Sequence, residues 1–291
     1  MKFWAKFSKT IFKIIAYPWL RKIAPKSIEA VLKRSIDILE PSMVCEIKSY
    51  ILEHQTPQGG FADRAGKSDL YYSLFGYFIS ESFSVSEVQT PLKKYVKQSV
   101  TESILTGVHL YCGAILYAKL CGSDSYTKKL KKQIITSLKA ANLQKEYSGF
   151  LGIMALYYLG DFVSIRKIMK QYQTLKVQND KPCSIVAATA VLLELAGRTT
   201  RKSGVLLNSY YRSSGGFAAI RQAPSEDLLS TAVALYALNF INADMRLIKP
   251  DCMSFIDDLY LKGGFRSMHS DPETDVEYTF YGLLALGSMN N

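Results

Sequence analysis

The stretch GGFRSMHSDPETDVEYTFYG, from Gly263 to Gly282, decides how the chain is read. A pair of glycines and a phenylalanine lead into a polar loop that ends at Asp275. A hydroxyl follows four residues later at Thr279, a small residue at Gly282, and then an apolar run. The pattern occurs twice more, as Gly215-Gly216-Phe217, Asp227, Thr231 and Ala234, and as Gly59-Gly60-Phe61, Asp69, Ser73 and Gly76. Paired glycines permit a tight turn, the aromatic ring anchors it, and an Asp before an apolar run is an N-cap. The small residue is expected to let helices pack closely.

Working outward, copies two and three lie 48 residues apart and copies one and two 156 apart, which leaves room for degenerate copies between them. Apolar helical runs at Ile104 to Leu120, Tyr147 to Leu159 (with a worn Ser148-Gly149-Phe150) and Pro182 to Ala196 supply them. More charged stretches such as Tyr126 to Ala140 and Phe162 to Tyr172 separate these runs. Period-two alternation is nearly absent, so the reading is all-α. Six helical hairpins, one helix of each apolar and the other amphipathic, pack most economically as two concentric layers with the apolar helices inside.

The 291 residues are 48% hydrophobic and 21% charged, too apolar for a disordered tail. No run reaches the roughly 18 apolar residues of a membrane span, since the best, Ile185 to Leu195, is short and carries Glu194. Five cysteines without a C-x-x-C pair argue against a disulfide framework and for a reducing, cytoplasmic setting. Seven of the eleven excess positive charges fall between Lys2 and Lys26. The remainder, about +4, is modest, and nucleic acid is not an expected partner. Lys2, Lys6, Lys9 and Lys13 share one helical face, opposite Phe3, Trp4, Phe7, Ile11, Ile14 and Ile15. Residues 1–22 therefore read as a basic amphipathic helix, suited either to peripheral contact with an anionic membrane or to packing on the body of the protein. A signal peptide fits less well, because Lys13 interrupts the apolar run. The expected organisation is an N-terminal extension over 1–38 and the repeat array over 39–291.

The three copies resemble the prenyltransferase and squalene oxidase repeat, over residues from about 40 to 289. The resemblance implies an α/α toroid of six inner and six outer helices, as in protein prenyltransferase β subunits and class II terpene cyclases. It also implies an isoprenoid, isoprenoid diphosphate or other apolar lipid in a central cavity. Prenyltransferases of this kind hold zinc, but here Tyr72, Ser230 and Tyr278 stand where their histidine would be, and Asp180 with Cys183 and Asp251 with Cys252 are wrongly spaced. No cofactor is called for, zinc is disfavoured and magnesium left open. Class II cyclases carry Asp-x-Asp-Asp at an inner-helix start. Asp275, Glu277 and Tyr278 match it in part, with Glu277 at the proton-donor position and Tyr278 replacing the last Asp. The plainer reading of the same residues is a helix cap and a first-turn acid. Two residues apart on a helix are about 200° apart around its axis, so one acid faces the lumen and the other braces the helix. Arg64, Lys67, Arg221, Arg266 and His269 precede inner helices and are candidates for binding a phosphate at one rim. Tyr72 and Tyr281 would contribute to an aromatic wall. The alternative is a noncatalytic toroid that carries lipid or binds protein, and a helical protein partner fits the prenyltransferase resemblance.

Overall fold

The computed structural model describes residues 23–140, 148–171 and 177–290. The basic segment over 1–22 lies outside the described residues. Thirteen α-helices are present among those described, with two small antiparallel sheets of two- and three-residue strands. Helix α1 (Ile28–Ile36) comes first, and the rest alternate. The inner helices are α3 (Leu70–Ser82), α5 (Gly107–Leu120), α7 (Ser148–Tyr158), α9 (Cys183–Leu195), α11 (Leu228–Phe240) and α13 (Val276–Met289). The outer ones are α2 (Pro41–Glu53), α4 (Gln89–Glu102), α6 (Ser125–Ala140), α8 (Phe162–Gln171), α10 (Arg201–Asn208) and α12 (Lys249–Asp257). Inner helices are buried almost throughout, whereas α4 and α6 bury only one stripe. The two concentric layers are those the alternating pattern predicts.

The repeat turns out to be a device for fixing each inner helix to its own loop. In every copy the first glycine has positive φ (+93°, +100° and +86° at Gly59, Gly215 and Gly263), which only glycine adopts freely. A Cβ there would strike a backbone carbonyl of an outer helix, Pro91, Asp251 or Glu46 respectively. The phenylalanine N–H donates to the hydroxyl of Ser73, Thr231 or Thr279 at 3.0, 2.8 and 3.2 Å. Asp69, Asp227 and Asp275 cap their helices, each accepting at 2.7 Å from the N–H of Tyr72, Ser230 and Tyr278. The small residue has a different role from the one expected. A Cβ on Gly76 or Gly282 would overlap the ring of Phe61 or Phe265, so it is the loop's own phenylalanine, not a neighbouring helix, that needs the space. The worn copy differs too, since Gly149 and Phe150 lie inside α7 rather than in a turn before it.

Short connections make each outer helix antiparallel to the inner helix before it, so inner N-termini and the three hairpin loops share an upper rim. The ring closes where α13 packs on α3 and Gly263 meets α2. Five of the six neighbouring inner pairs pack closely; α7 and α9 are the loose pair. The lower mouth, formed by inner C-termini, is crossed by α1 and the residues before it. Lys26 bonds the Phe240 carbonyl and Asn242, Glu29 accepts from Lys119 and Tyr158, and Arg34 reaches the Gly287 carbonyl.

Candidate functional site in the toroid lumen

The lumen is a cavity of about 60 Å³, walled by aromatic and aliphatic side chains from the inner helices and closed below by Ile28. Tyr71, Phe75, Phe280 and Tyr281 form its aromatic side. Tyr71 meets Phe75 edge-on at 4.7 Å between centroids, and Phe75 lies 4.8 and 5.7 Å from Phe280 and Tyr281. The opposite wall includes Ser184, Ala187 and Ala188 of α9, whose small side chains leave the space. A second cavity of about 70 Å³ lies below, between α7, α9 and the residues around Ile23. Ile28, Phe150, Met154, Val191 and Tyr236 border both, so only side chains divide them. A ligand of isoprenoid size needs the two joined.

At the edge of the lumen stands Glu277. Glu277 is buried, 9% exposed, and accepts a hydrogen bond from the Tyr71 hydroxyl at 2.6 Å, with Tyr72 a further hydrogen-bonding partner. Because Tyr71 lines the cavity, the carboxyl is one hydrogen bond from the ligand space. Burial pushes its pKa above the usual glutamate value, Asp275 and Asp69 push the same way, and the two tyrosine bonds only partly oppose them. Asp275 faces away from it. Besides capping α13 it takes Nε of Arg64 at 2.6 Å, and Arg64 grips Asp271 with its other two nitrogens at 3.2 and 2.8 Å. Asp275 thus braces the helix start, while Glu277 points to Tyr71 at the edge of the lumen. Asp275→Ala loses both cap and ion pair, and unfolding in denaturant should register about 2 to 3 kcal/mol.

The basic loop residues do not converge. Arg64 reaches the rim but is committed to two carboxylates. Arg221 donates to the Asn179 carbonyl at 2.5 Å and Arg266 to the Asp258 carbonyl at 2.5 Å. His269 stands edge-on to Phe255, 5.5 Å between centroids, and Lys67 is exposed. Of the sequence candidates, Asp275, Glu277, Tyr278, Arg64 and Tyr72 gather at one place, with Tyr281 in the wall beneath; Lys67, Arg221, Arg266 and His269 do not join them. Tyr278 lies under the Arg64 guanidinium, 5.4 Å from its ring centroid, and burial beside Glu277 raises its hydroxyl to about 12. At the rim, then, the carboxylates of Asp271 and Asp275 gather around Arg64. Among the described residues no three His, Cys, Asp or Glu side chains gather as metal ligands would. Sequence reasoning missed the pairing of Tyr71 with Glu277 and the part played by Ile28, for which only the Tyr-Tyr following the Asp69 cap offered a signal.

The Arg64 link has a pH signature. Its hydrogen bonds hold Asp271 well below the usual carboxylate range, overriding burial. A depressed folded value gives stability that is present above the unfolded value of about 3.9 and lost as pH falls below it. Asp271→Asn should flatten this acid limb in thermal melts.

A family model, the prenyltransferase alpha-alpha toroid domain, matches residues 32–90 and 118–290. No curated protein matches the chain.

Proposed function

The chain belongs to the prenyltransferase alpha-alpha toroid family, and from that premise we propose that its lumen binds a neutral isoprenoid-like hydrocarbon and that Glu277 protonates it. The observation that carries this reading is a buried carboxyl, its pKa raised by burial, at the edge of an aromatic, otherwise apolar lumen. A carboxyl whose pKa is raised by burial holds its proton to higher pH, which favours general-acid chemistry on an alkene. The proton passes through Tyr71, whose hydroxyl lines the lumen: the π pair of the alkene takes the Tyr71 O–H proton to form a C–H bond, a cation is left on the adjacent carbon, and the Glu277 O–H proton replaces the one that Tyr71 gives. The faces of Phe75, Phe280 and Tyr281 stabilise such a cation. The hydroxyls of Tyr71 and Tyr72 hold the carboxylate that remains until a proton lost from the product cation restores the acid.

The carboxylates of Asp69, Asp271 and Asp275 around the rim favour an uncharged ligand over a diphosphate. Native mass spectrometry with linear polyprenyl alcohols, hydrocarbons and diphosphates tests this. Retention of the neutral lipids, with turnover that requires no thiol acceptor, is expected. Indifference to every lipid would leave a noncatalytic interaction module. Binding without turnover, unchanged by Glu277→Gln, would make the protein a carrier.

A further inference from the structure

We infer that the lower end of the toroid, on the side of α4, α6 and α8, docks on an anionic lipid bilayer and turns the seam between α7 and α9 toward it. Between residues 89 and 171 the sequence has 13 lysines and arginines against four acids, a concentration that the modest charge of the chain beyond residue 26 conceals. The fold directs this charge. Outer helices start at the lower end, and Lys93 on α4, Lys128 and Lys132 on α6, and Arg166 on α8 are exposed in the first halves of their helices, with Lys97 and Lys167, also exposed, just past the midpoints of α4 and α8. Of the acids at the same level, Asp124 accepts from the N–H groups of Tyr126 and Thr127 and Asp161 from the N–H and hydroxyl of Ser164, while the exposed Glu81 and Glu87 accept from the side chains of Gln89 and Ser86 and leave the cations in excess. None of the six cations forms an ion pair among the described residues. Val163, 48% exposed, adds an apolar side chain on the first turn of α8.

Two further observations favour a bilayer over an acidic protein or nucleic acid. The second cavity lies beside the loose α7/α9 pair and is lined by Ile23, Tyr157, Tyr158 and Ile165, so an apolar space sits next to the basic surface. The sequence before Ile23, residues 1–22, carries six further cations, no acid and several bulky apolar residues. Diffuse lysine charge beside apolar side chains suits lipid headgroups. The seam then gives a membrane lipid a lateral path to the lumen, a part of the inference that rests on the proposed function; docking itself does not.

Cosedimentation of the full chain with phosphatidylcholine vesicles, alone or mixed equally with phosphatidylserine, tests it. Binding to the mixed vesicles only is expected, falling about tenfold or more in the variant Lys128→Glu/Lys132→Glu/Arg166→Glu/Lys167→Glu. The matching glutamine variant should fall between, and serves if charge reversal impairs folding. Vesicle binding unaltered in both variants, equal binding to neutral vesicles, or displacement by double-stranded DNA at equal phosphate would overturn the docking face. Isoprenoid uptake from detergent separates the two ideas. Docking without uptake counts against the proposed function alone, and uptake without vesicle preference against docking alone.

Discussion

Glu277→Gln is expected to lower turnover of a linear isoprenoid by about 10³-fold while leaving ligand retention and fold intact. Glutamine keeps an acceptor for the Tyr71 hydroxyl but has no proton to give. Stability should hold or rise, and the sign follows from the titration. Burial raises the folded pKa of Glu277 above its unfolded value of about 4.3. The unfolded chain then ionises first, so this group's contribution declines as pH rises from about 4.3 through the folded value. The Gln variant lacks that decline. In the parent, kcat/KM should fall as pH rises past the folded pKa, because the acid is spent. A variant that keeps its turnover would sink the proton-donor role.

Gly287→Ala should cost about 3 kcal/mol, more than typical overpacking of a flexible side chain. A Cβ there would lie 1.9 Å from the carbonyl oxygen of Val31 and 2.8 Å from its carbon, and the backbone of α1 cannot rotate aside. Arg34 would lose the Gly287 carbonyl when α1 lifts. Chemical denaturation gives the size of the effect, and hydrogen exchange at Val31 and Leu32 should show that α1 is what detaches. Unchanged protection there would mean that the helices slide instead.

The fold was legible because each copy encodes a complete local unit, turn, anchor ring, cap and hydroxyl, whose partners are at most about 20 residues apart. The candidate acid was legible for the same reason, since α-helical geometry alone separates Asp275 from Glu277. What sequence could not supply was contact across the ring. Arg64 finds Asp271 and Asp275 at separations of 207 and 211 residues, and this turns a presumed phosphate ligand into a brace. Ile28 enters the cavity wall from the stretch that reads as an N-terminal extension before the repeats. Ser184, Ala187 and Ala188 belong to what reads simply as an apolar helical run; in the ring they line the cavity together with Phe150 and Met154. The lysines of α4, α6 and α8 were visible singly, but their shared level depends on outer helices all starting at the same end.

Ring closure gives this repeat protein a different fate on the ribosome from that of an open array. A linear array can add stable units one after another, each leaning on the last. Here the first outer helix waits for Gly263, the first inner helix for α13, and α1 for Gly287. Every N-terminal element therefore emerges with an unsatisfied face, to be covered only when the final 30 or so residues are made. Such distant pairing is slow and leaves apolar surface exposed during synthesis. A chain stopped just before Val276 would lack its acid and also the wedge that joins its two ends. Loss of one helix should then be felt at every helix, so that the repeats melt together as a single cooperative unit.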